Sequence, residues 1–338
     1  MRAARAKLGR SHRRMEKSVR PRARSLLALA LLTAATALGG CLEDRQGPPQ
    51  RTERPPPSAP APAEERPLAP KDEEERVPDL AEESARRAVV WAIGDGADGS
   101  AKARRLAQMI GSRRVDRLLY LGDVYERGTA EEFAENYEPV YGDLAEVTSP
   151  TPGNHDWPNH EQGYDRYWQR VHGRPPRPYY SFSLGGWKIL SLNSEESTGR
   201  ESPQVRWLER QLHRGEGTCR LAFWHQARYS AGTKHGDEPD VDPFWDALSG
   251  RAAVVVSGHE HNSQRFKARD GIVQLVAGAG RGSEPLYRLR EDSRLAFGND
   301  QELAALRLEL RPGWAEYDFV TAAGRKLDSG EVRCESGG

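Results

Sequence analysis

Six apolar residues in a row, Ala88-Val89-Val90-Trp91-Ala92-Ile93, stop abruptly at Gly94-Asp95-Gly96. A run of that length, without polar alternation, predicts a strand buried on both faces. The same design recurs downstream. Leu118 to Leu121 ends at Gly122-Asp123, Arg220 to Trp224 ends at His225, and Val254-Val255-Val256 runs through Ser257-Gly258 into His259-Glu260-His261. Val147 to Pro152 leads into Gly153-Asn154-His155-Asp156. Between these runs the pattern predicts helices over Ala101 to Ile110, Glu131 to Tyr141, Pro203 to His213 and Asp242 to Leu248, with Val205, Leu208 and Leu212 on one face of the third. Strand, helix, strand, with a polar residue at each strand's C-terminal end, is how an open α/β sheet gathers a site along one edge.

The remaining patterned segments read differently. Tyr179 to Ser191, with Gly185-Gly186 between its halves, predicts a hairpin. Ile272 to Val276 predicts a strand before the glycine-rich turn Gly278-Ala279-Gly280. Leu306, Leu308 and Leu310 alternate with Arg307 and Glu309, so Leu303 to Leu310 and Ala315 to Val320 predict half-buried antiparallel sheet. There is no internal repeat. The fold class is α/β, with two sheets packed together and helices outside.

Ahead of Ala88 the pattern changes character. Residues 1–24 hold ten Lys or Arg against one acid, and an apolar run from Leu26 to Leu38 follows. The run is shorter than the roughly 20 residues that span a bilayer and suits the export-signal core of about 7 to 15. It ends Leu38-Gly39-Gly40-Cys41, which resembles a bacterial lipobox and implies cleavage before Cys41, lipidation of its thiol and membrane attachment. Met15 is an economical alternative start, and Arg13-Arg14 lacks the apolar follow-on of a twin-arginine signal, so the export route stays open. From Leu42 to about Ala85 the chain is rich in Pro, Glu and Arg with few large apolar residues, the composition of a solvated tether. Residues 1–40 are thus expected as signal, 41–85 as tether and 86–338 as the folded domain of an exported, membrane-anchored protein facing the periplasm or cell surface.

Export changes the charge. The balanced chain of 50 bases and 50 acids becomes 40 bases and 49 acids after residue 40, near −9. That surface disfavours nucleic-acid binding as the main role, although it leaves room for a locally positive metal site. Of the three cysteines, Cys219 and Cys334 remain in the domain, and an oxidising compartment favours their pairing.

The chemistry lies at the strand ends. A lone Gly-Asp is more often a turn or a helix cap. Here Asp95, Asp123, Asn154, His225, His259 and His261 supply carboxylate, amide and imidazole donors at the ends of five separate apolar runs, the ligand types that hold borderline-hard cations. Alternation along an extended backbone sends His259 and His261 to one side. His155, followed by Asp156, offers an imidazole oriented by a carboxylate. His160, His172 and His213 read as surface residues, and Arg228 and Lys234 as solvated loop cations.

In order, residue type and position, these motifs resemble the calcineurin-like metallophosphoesterases, within them the purple acid phosphatases and their bacterial relatives, over about Ala88 to Cys334. The resemblance implies a four-layer α/β/β/α sandwich with two mixed sheets and two metal ions. Asp95, Asp123 and His261 would hold the first ion, and Asp123, Asn154, His225 and His259 the second, with Asp123 as the bridge. The wider superfamily carries Asp-x-His in the first motif, whereas this chain has Asp95-Gly96-Ala97. The purple acid phosphatase branch supplies a tyrosinate three residues after the bridging aspartate, and here Tyr125 follows Asp123 by two. Tyr125 is therefore a ligand candidate, Asp98 a substitute, and iron, manganese and zinc all stay open.

Two such cations, about 3.5 to 4 Å apart, would share a hydroxide for in-line attack on phosphorus. His155 would stabilise the transferring group or protonate the leaving oxygen, and His235 would serve as general acid or substrate contact. The expected activity is phosphomonoester hydrolysis on a small phosphorylated substrate. The alternatives are a phosphodiesterase or nucleotide hydrolase on the same centre, or a surface binding module whose site has decayed. The presence of both aspartates, the asparagine and all three liganding histidines argues against decay.

Overall fold

The computed structural model describes residues 87–214 and 218–334. The expected export signal, Cys41 and the tether lie outside them. Strands β1 (Ala88–Ile93), β2 (Arg117–Tyr120) and β3 (Thr148–Pro150) come first. The hairpin β4 (Tyr180–Leu184) and β5 (Trp187–Ser191) precedes β6 (Cys219–Trp224) and β7 (Val254–Ser257). Next come β8 (Ser263–Phe266), β9 (Val273–Ala277) and β10 (Leu295–Asn299), then the meander β11 (Ala304–Arg311), β12 (Trp314–Thr321) and β13 (Lys326–Arg333). The helices are α1 (Ala101–Gly111), α2 (Ala130–Glu132), α3 (Glu138–Tyr141), α4 (Tyr164–His172), α5 (Pro203–His213) and α6 (Asp242–Leu248).

Two mixed sheets result, one ordered β13-β12-β11-β1-β2-β3 and the other β10-β8-β9-β7-β6-β5-β4. β1, β2 and β3 run parallel in the first, and β5, β6, β7 and β9 run parallel in the second. The continuous apolar runs are explained by burial on both faces. Val90 and Ala92 of β1 join Leu119, Leu306 and Leu308 against Ile189, Leu221, Phe223, Val254 and Val256 in the core between the sheets. Val89, Trp91 and Ile93 face outward, under Leu106 and Ile110 of α1 and Trp168 of α4. On the far side, α5 buries Val205, Leu208 and Leu212, and α6 buries Phe244 and Leu248, against Ala222 and Val255. The arrangement is the expected four layers, α/β/β/α. Among the described residues no helix is long and apolar enough to cross a membrane.

Several elements depart from expectation. The helix predicted over Glu131 to Tyr141 is broken: α2 passes through a π turn, Phe133–Tyr137, into α3. Pro139 has no N–H to give the carbonyl four residues earlier, which removes one rung of the α ladder there. β8, α4, β10 and β13 were not anticipated. β13 reads Lys-Leu-Asp-Ser-Gly-Glu-Val-Arg and lies at a sheet edge, where one neighbour suffices and apolar alternation is not required. Gly185 and Gly186 both adopt positive φ, 59° and 78°, the requirement of a two-residue type I′ hairpin. Cys219 at the start of β6 is bonded to Cys334 just after β13, tying the second sheet to the edge of the first.

Candidate metal centre

β1, β2 and β3 of one sheet and β6 and β7 of the other end along a common edge, where cross-sheet hydrogen bonds join them. Gly94 N–H donates to Ala277 O at 2.8 Å, and His225 Nδ1 lies 2.7 Å from Leu121 O. Asp95 and Asp123 have left-handed backbones, φ 61° and 69°, a region that aspartate tolerates better than branched residues. A Cβ on Gly153 would lie 2.1 Å from Asp123 Oδ1, and one on Gly122 would lie 2.6 Å from Gly153 N. Only glycine permits that docking, so the second and third motifs meet backbone to backbone.

Asp156 fixes this meeting. Its buried carboxylate accepts from the N–H groups of Asp123 at 2.8 Å, Val124 at 2.9 Å and Gly153 at 2.9 Å. Burial, together with the Asp123 carboxylate, pushes Asp156 up to about 7. The expectation that it orients His155 is corrected, because its oxygens are engaged by these three amides. His155 Nδ1 instead faces Glu126 O at 2.5 Å.

On the second-sheet side, acceptors converge. His225 Nε2 lies 3.0 Å from Asn154 Oδ1, 3.4 Å from Asp123 Oδ2 and 3.1 Å from His259 Nδ1. With Nδ1 donating to Leu121 O, Nε2 is left facing the Asn154 oxygen, the Asp123 carboxylate and the His259 ring, so the cluster calls for a cation there, a proton or a metal ion. Burial lowers the His225 imidazole, but the Asp123 carboxylate overrides it and lifts it to about 10. Burial and the neighbouring His225 hold His259 down at about 2, leaving a neutral ring able to ligate. Although burial opposes it, Asp123 is held well below its ordinary value by His225 and His155. Donor atoms of Asp123, His225 and His259 all lie within 4.8 Å of one another, which fits a metal ion.

The first-sheet side is completed by Tyr125. Its buried phenol lies 3.0 Å from Asp95 Oδ1, 3.3 Å from Asp123 Oδ2 and 2.8 Å from His261 Nε2. The shortened spacing after Asp123 therefore still brings the phenol to both carboxylates. Burial and the two aspartates push it well above its ordinary value, opposed by Arg281. His261 Nδ1 is buried with no hydrogen-bond partner. Asp98 does not reach the cluster: its carboxylate caps Ser100, Gly282 and Ser283 N–H groups at 2.9, 2.8 and 2.6 Å, which corrects its expected role as substitute ligand. The two same-side histidines also arise differently from expectation. β7 stops at Ser257, and His259 has φ 66°, so turns rather than strand alternation aim both rings.

Around the rim, His155 is about one-third exposed, with Nε2 4.0 Å from Asp123 Oδ2. His235 is exposed, its ring centroid 4.0 Å from that of His259. Arg228 pairs with Asp242 instead, and Lys234 lies 5.6 Å over the Tyr287 ring. His160 pairs with Asp165 at 2.9 Å, and His172 and His213 are exposed. Two rim residues had no sequence signal beyond a neighbour's. Arg281 lies 3.9 Å over the Tyr125 ring and pairs with Glu126 and Glu284, directly after the turn Gly278-Ala279-Gly280. Tyr287 stacks on His261 with centroids 4.0 Å apart.

A layered α/β/β/α sandwich that gathers carboxylate, amide and imidazole donors at parallel strand ends defines a metal-binding hydrolase. The calcineurin-like phosphoesterase model matches residues 88–263, and the chain belongs to that family. Its similarity to the tartrate-resistant acid phosphatase type 5 of Mus musculus is 23% identity over 268 residues, covering 67% of this chain and 81% of the relative. The purple acid phosphatase from yellow lupin (Lupinus luteus) seeds superposes with a TM-score of 0.61 at 13% identity, over 72% of this chain and 53% of that one. GAP50, the anchor in the inner membrane complex of Plasmodium, gives 0.60 at 15% identity, over 74% and 90%. The match lies with the purple acid phosphatase-like branch.

Proposed function

We propose that the chain is a phosphomonoesterase with two metal ions, one held by Asp95, Asp123, Tyr125 and His261 and the other by Asp123, Asn154, His225 and His259. The observation that carries this reading is the position of the Tyr125 phenol, within 3.3 Å of Asp95, Asp123 and His261, which completes the donor set of a chain whose first motif, Asp95-Gly96-Ala97, has no histidine. Two bound ions supply positive charge against phosphate oxygens and a water acidic enough to attack phosphorus near neutral pH. The chain does the rest. His225 is locked in one orientation by Leu121 O, and Asp123 is fixed by the third motif, whose His155 N–H donates to its carboxylate and whose Asp156 carboxylate accepts from its backbone N–H. His155, open to solvent and beside Asp123, is placed to stabilise the transferring group or protonate the leaving oxygen. His235 stands over His259 as a substrate contact. Export and lipidation at Cys41 belong to the same proposal, supported by the charge and apolar pattern of residues 1–41. Membrane-fraction recovery that survives Cys41→Ser would sink the lipid part.

The test is hydrolysis of a chromogenic phosphomonoester and its matching diester by the full chain, with manganese, zinc and iron supplied in turn and Asn154→Ala as control. Metal-dependent turnover that favours the monoester and disappears in the control is expected. Preference for the diester would shift the reading to a phosphodiesterase, and a folded protein inactive with every metal would shift it to a binding module.

A further inference from the structure

The segment that delivers His259 and His261 has a second side. Its backbone makes two successive three-residue turns, with Glu260 N–H donating to Gly258 O at 2.8 Å and Asn262 N–H to Glu260 O at 2.5 Å. Tight turns in series keep side chains alternating. The two histidines leave toward the metal centre, and Glu260, Asn262 and Gln264 leave the other way, all three fully buried. Buried polar groups need partners, and these find theirs in the loop of residues 230–236 and the segment beside it. Gln264 Oε1 accepts from Ala231 N–H at 2.7 Å, and Asn262 Nδ2 donates to Tyr287 O at 3.1 Å. Glu260 Oε1 accepts from the backbone N–H of His235 at 3.2 Å and of Gly236 at 2.7 Å. Glu260 Oε2 is buried with no hydrogen-bond partner, and Gly232 packs so close that a Cβ there would lie 2.0 Å from it.

We propose that Glu260 is a positioning residue, which grips the loop from behind through the amides of His235 and Gly236 and so sets the His235 imidazole over His259. A glutamate suits the task, since a single carboxyl oxygen, with its two lone pairs, accepts from both N–H groups at once. The histidines and the glutamate between them thereby serve one site from opposite faces of the same turn. The effect on turnover rests on the phosphohydrolase reading; the effect on the loop does not.

The experiment combines amide hydrogen exchange of the metal-free full chain with metal content and turnover. Glu260→Leu is expected to speed exchange at His235 and Gly236 by about tenfold or more, without speeding it in β6 and β7, because a local opening has lost its restraint. It should also lower kcat by about tenfold at unchanged metal content, and Glu260→Gln, which keeps an acceptor oxygen, should recover most of both losses. In a His235→Ala background, Glu260→Leu should cost less than about twofold, the non-additivity of residues acting through one another. Unchanged exchange at residues 235 and 236, or full additivity with His235→Ala, overturns the proposal. Should Glu260→Leu fail to fold, Gly232→Ala presses on the same carboxylate from the loop and must give the same local exchange. Wild-type protein inactive with every metal defeats the phosphohydrolase reading, while the exchange measurement still decides the grip of Glu260 on the loop.

Discussion

The donor cradle and the rim around it are built by opposite means. Each cradle donor follows a strand or lies in the turns just beyond it, and the backbone is pinned there by left-handed aspartates, glycine contacts and the three amides on Asp156. The rim residues His155, His235, Arg281 and Tyr287 sit on loops and are held by carbonyls, ion pairs and ring contacts from distant segments. A cradle must hold charges at fixed spacing, whereas a rim must admit a substrate and let it go. The close backbone restraints are thus concentrated where the carboxylate, amide and imidazole donors converge, and the side-chain contacts of the loops surround them.

Breaking the cradle should have the largest effect. Asp123→Asn keeps the shape and most of the local hydrogen bonds but removes the charge shared by both halves. Metal content should fall well below that of the wild type, and turnover should drop by at least about a thousandfold, about 4 kcal/mol of barrier. Metal analysis alongside kinetics checks it, and a variant that retains its full metal would show that the carboxylate does not join the two halves.

Altering the rim should separate turnover from metal. In His155→Ala the cradle keeps every donor, so metal content should match the wild type while kcat falls by about a hundredfold, the scale of a lost proton donor or charge stabiliser. A parallel loss of metal in this variant would erase the distinction between the two regions.

The same division governs what could be read from sequence. Strand ends were legible because burial on both faces forces continuous apolar runs, and the residue that stops each run is conspicuous. Ala88–Ile93 followed by Asp95 and Leu118–Leu121 followed by Asp123 are such cases. Contacts that depend on chain closure were not. Asp156 lies beside His155 in sequence but serves the backbone of Asp123, and Glu260 sits between His259 and His261 but faces away from them, toward the amides of His235 and Gly236. Asp98 illustrates the converse error, since a carboxylate near a motif was captured by the amides of Gly282 and Ser283, 184 and 185 residues away. β13 lacked a pattern because an edge strand with exposed polar residues leaves no apolar period to detect.

The smallest effect should come from a site that belongs to neither region. Glu309 lies in β11 opposite Val89, toward the end of the sheet away from the donors. Its carboxylate accepts from Arg87 at 2.7 Å, Arg311 at 2.7 Å and Arg307 at 2.7 Å. The Arg87 bond leads in holding it down at about 2, below the ordinary value of 4.5. Over that window the unfolded chain binds more protons than the folded one, so the contribution to stability is complete above about pH 4.5 and is lost as the pH falls toward about 2. Glu309→Gln should therefore flatten the acid limb of the unfolding midpoint of the metal-free protein between those limits, followed by circular dichroism. Neutral-pH turnover and metal content should stay at the wild-type level, because the substitution touches neither the cradle nor the rim. A loss of activity at neutral pH would mean that strain in the first sheet reaches Asp95 through β1, and the cradle would then be less isolated from its scaffold than its local restraints imply.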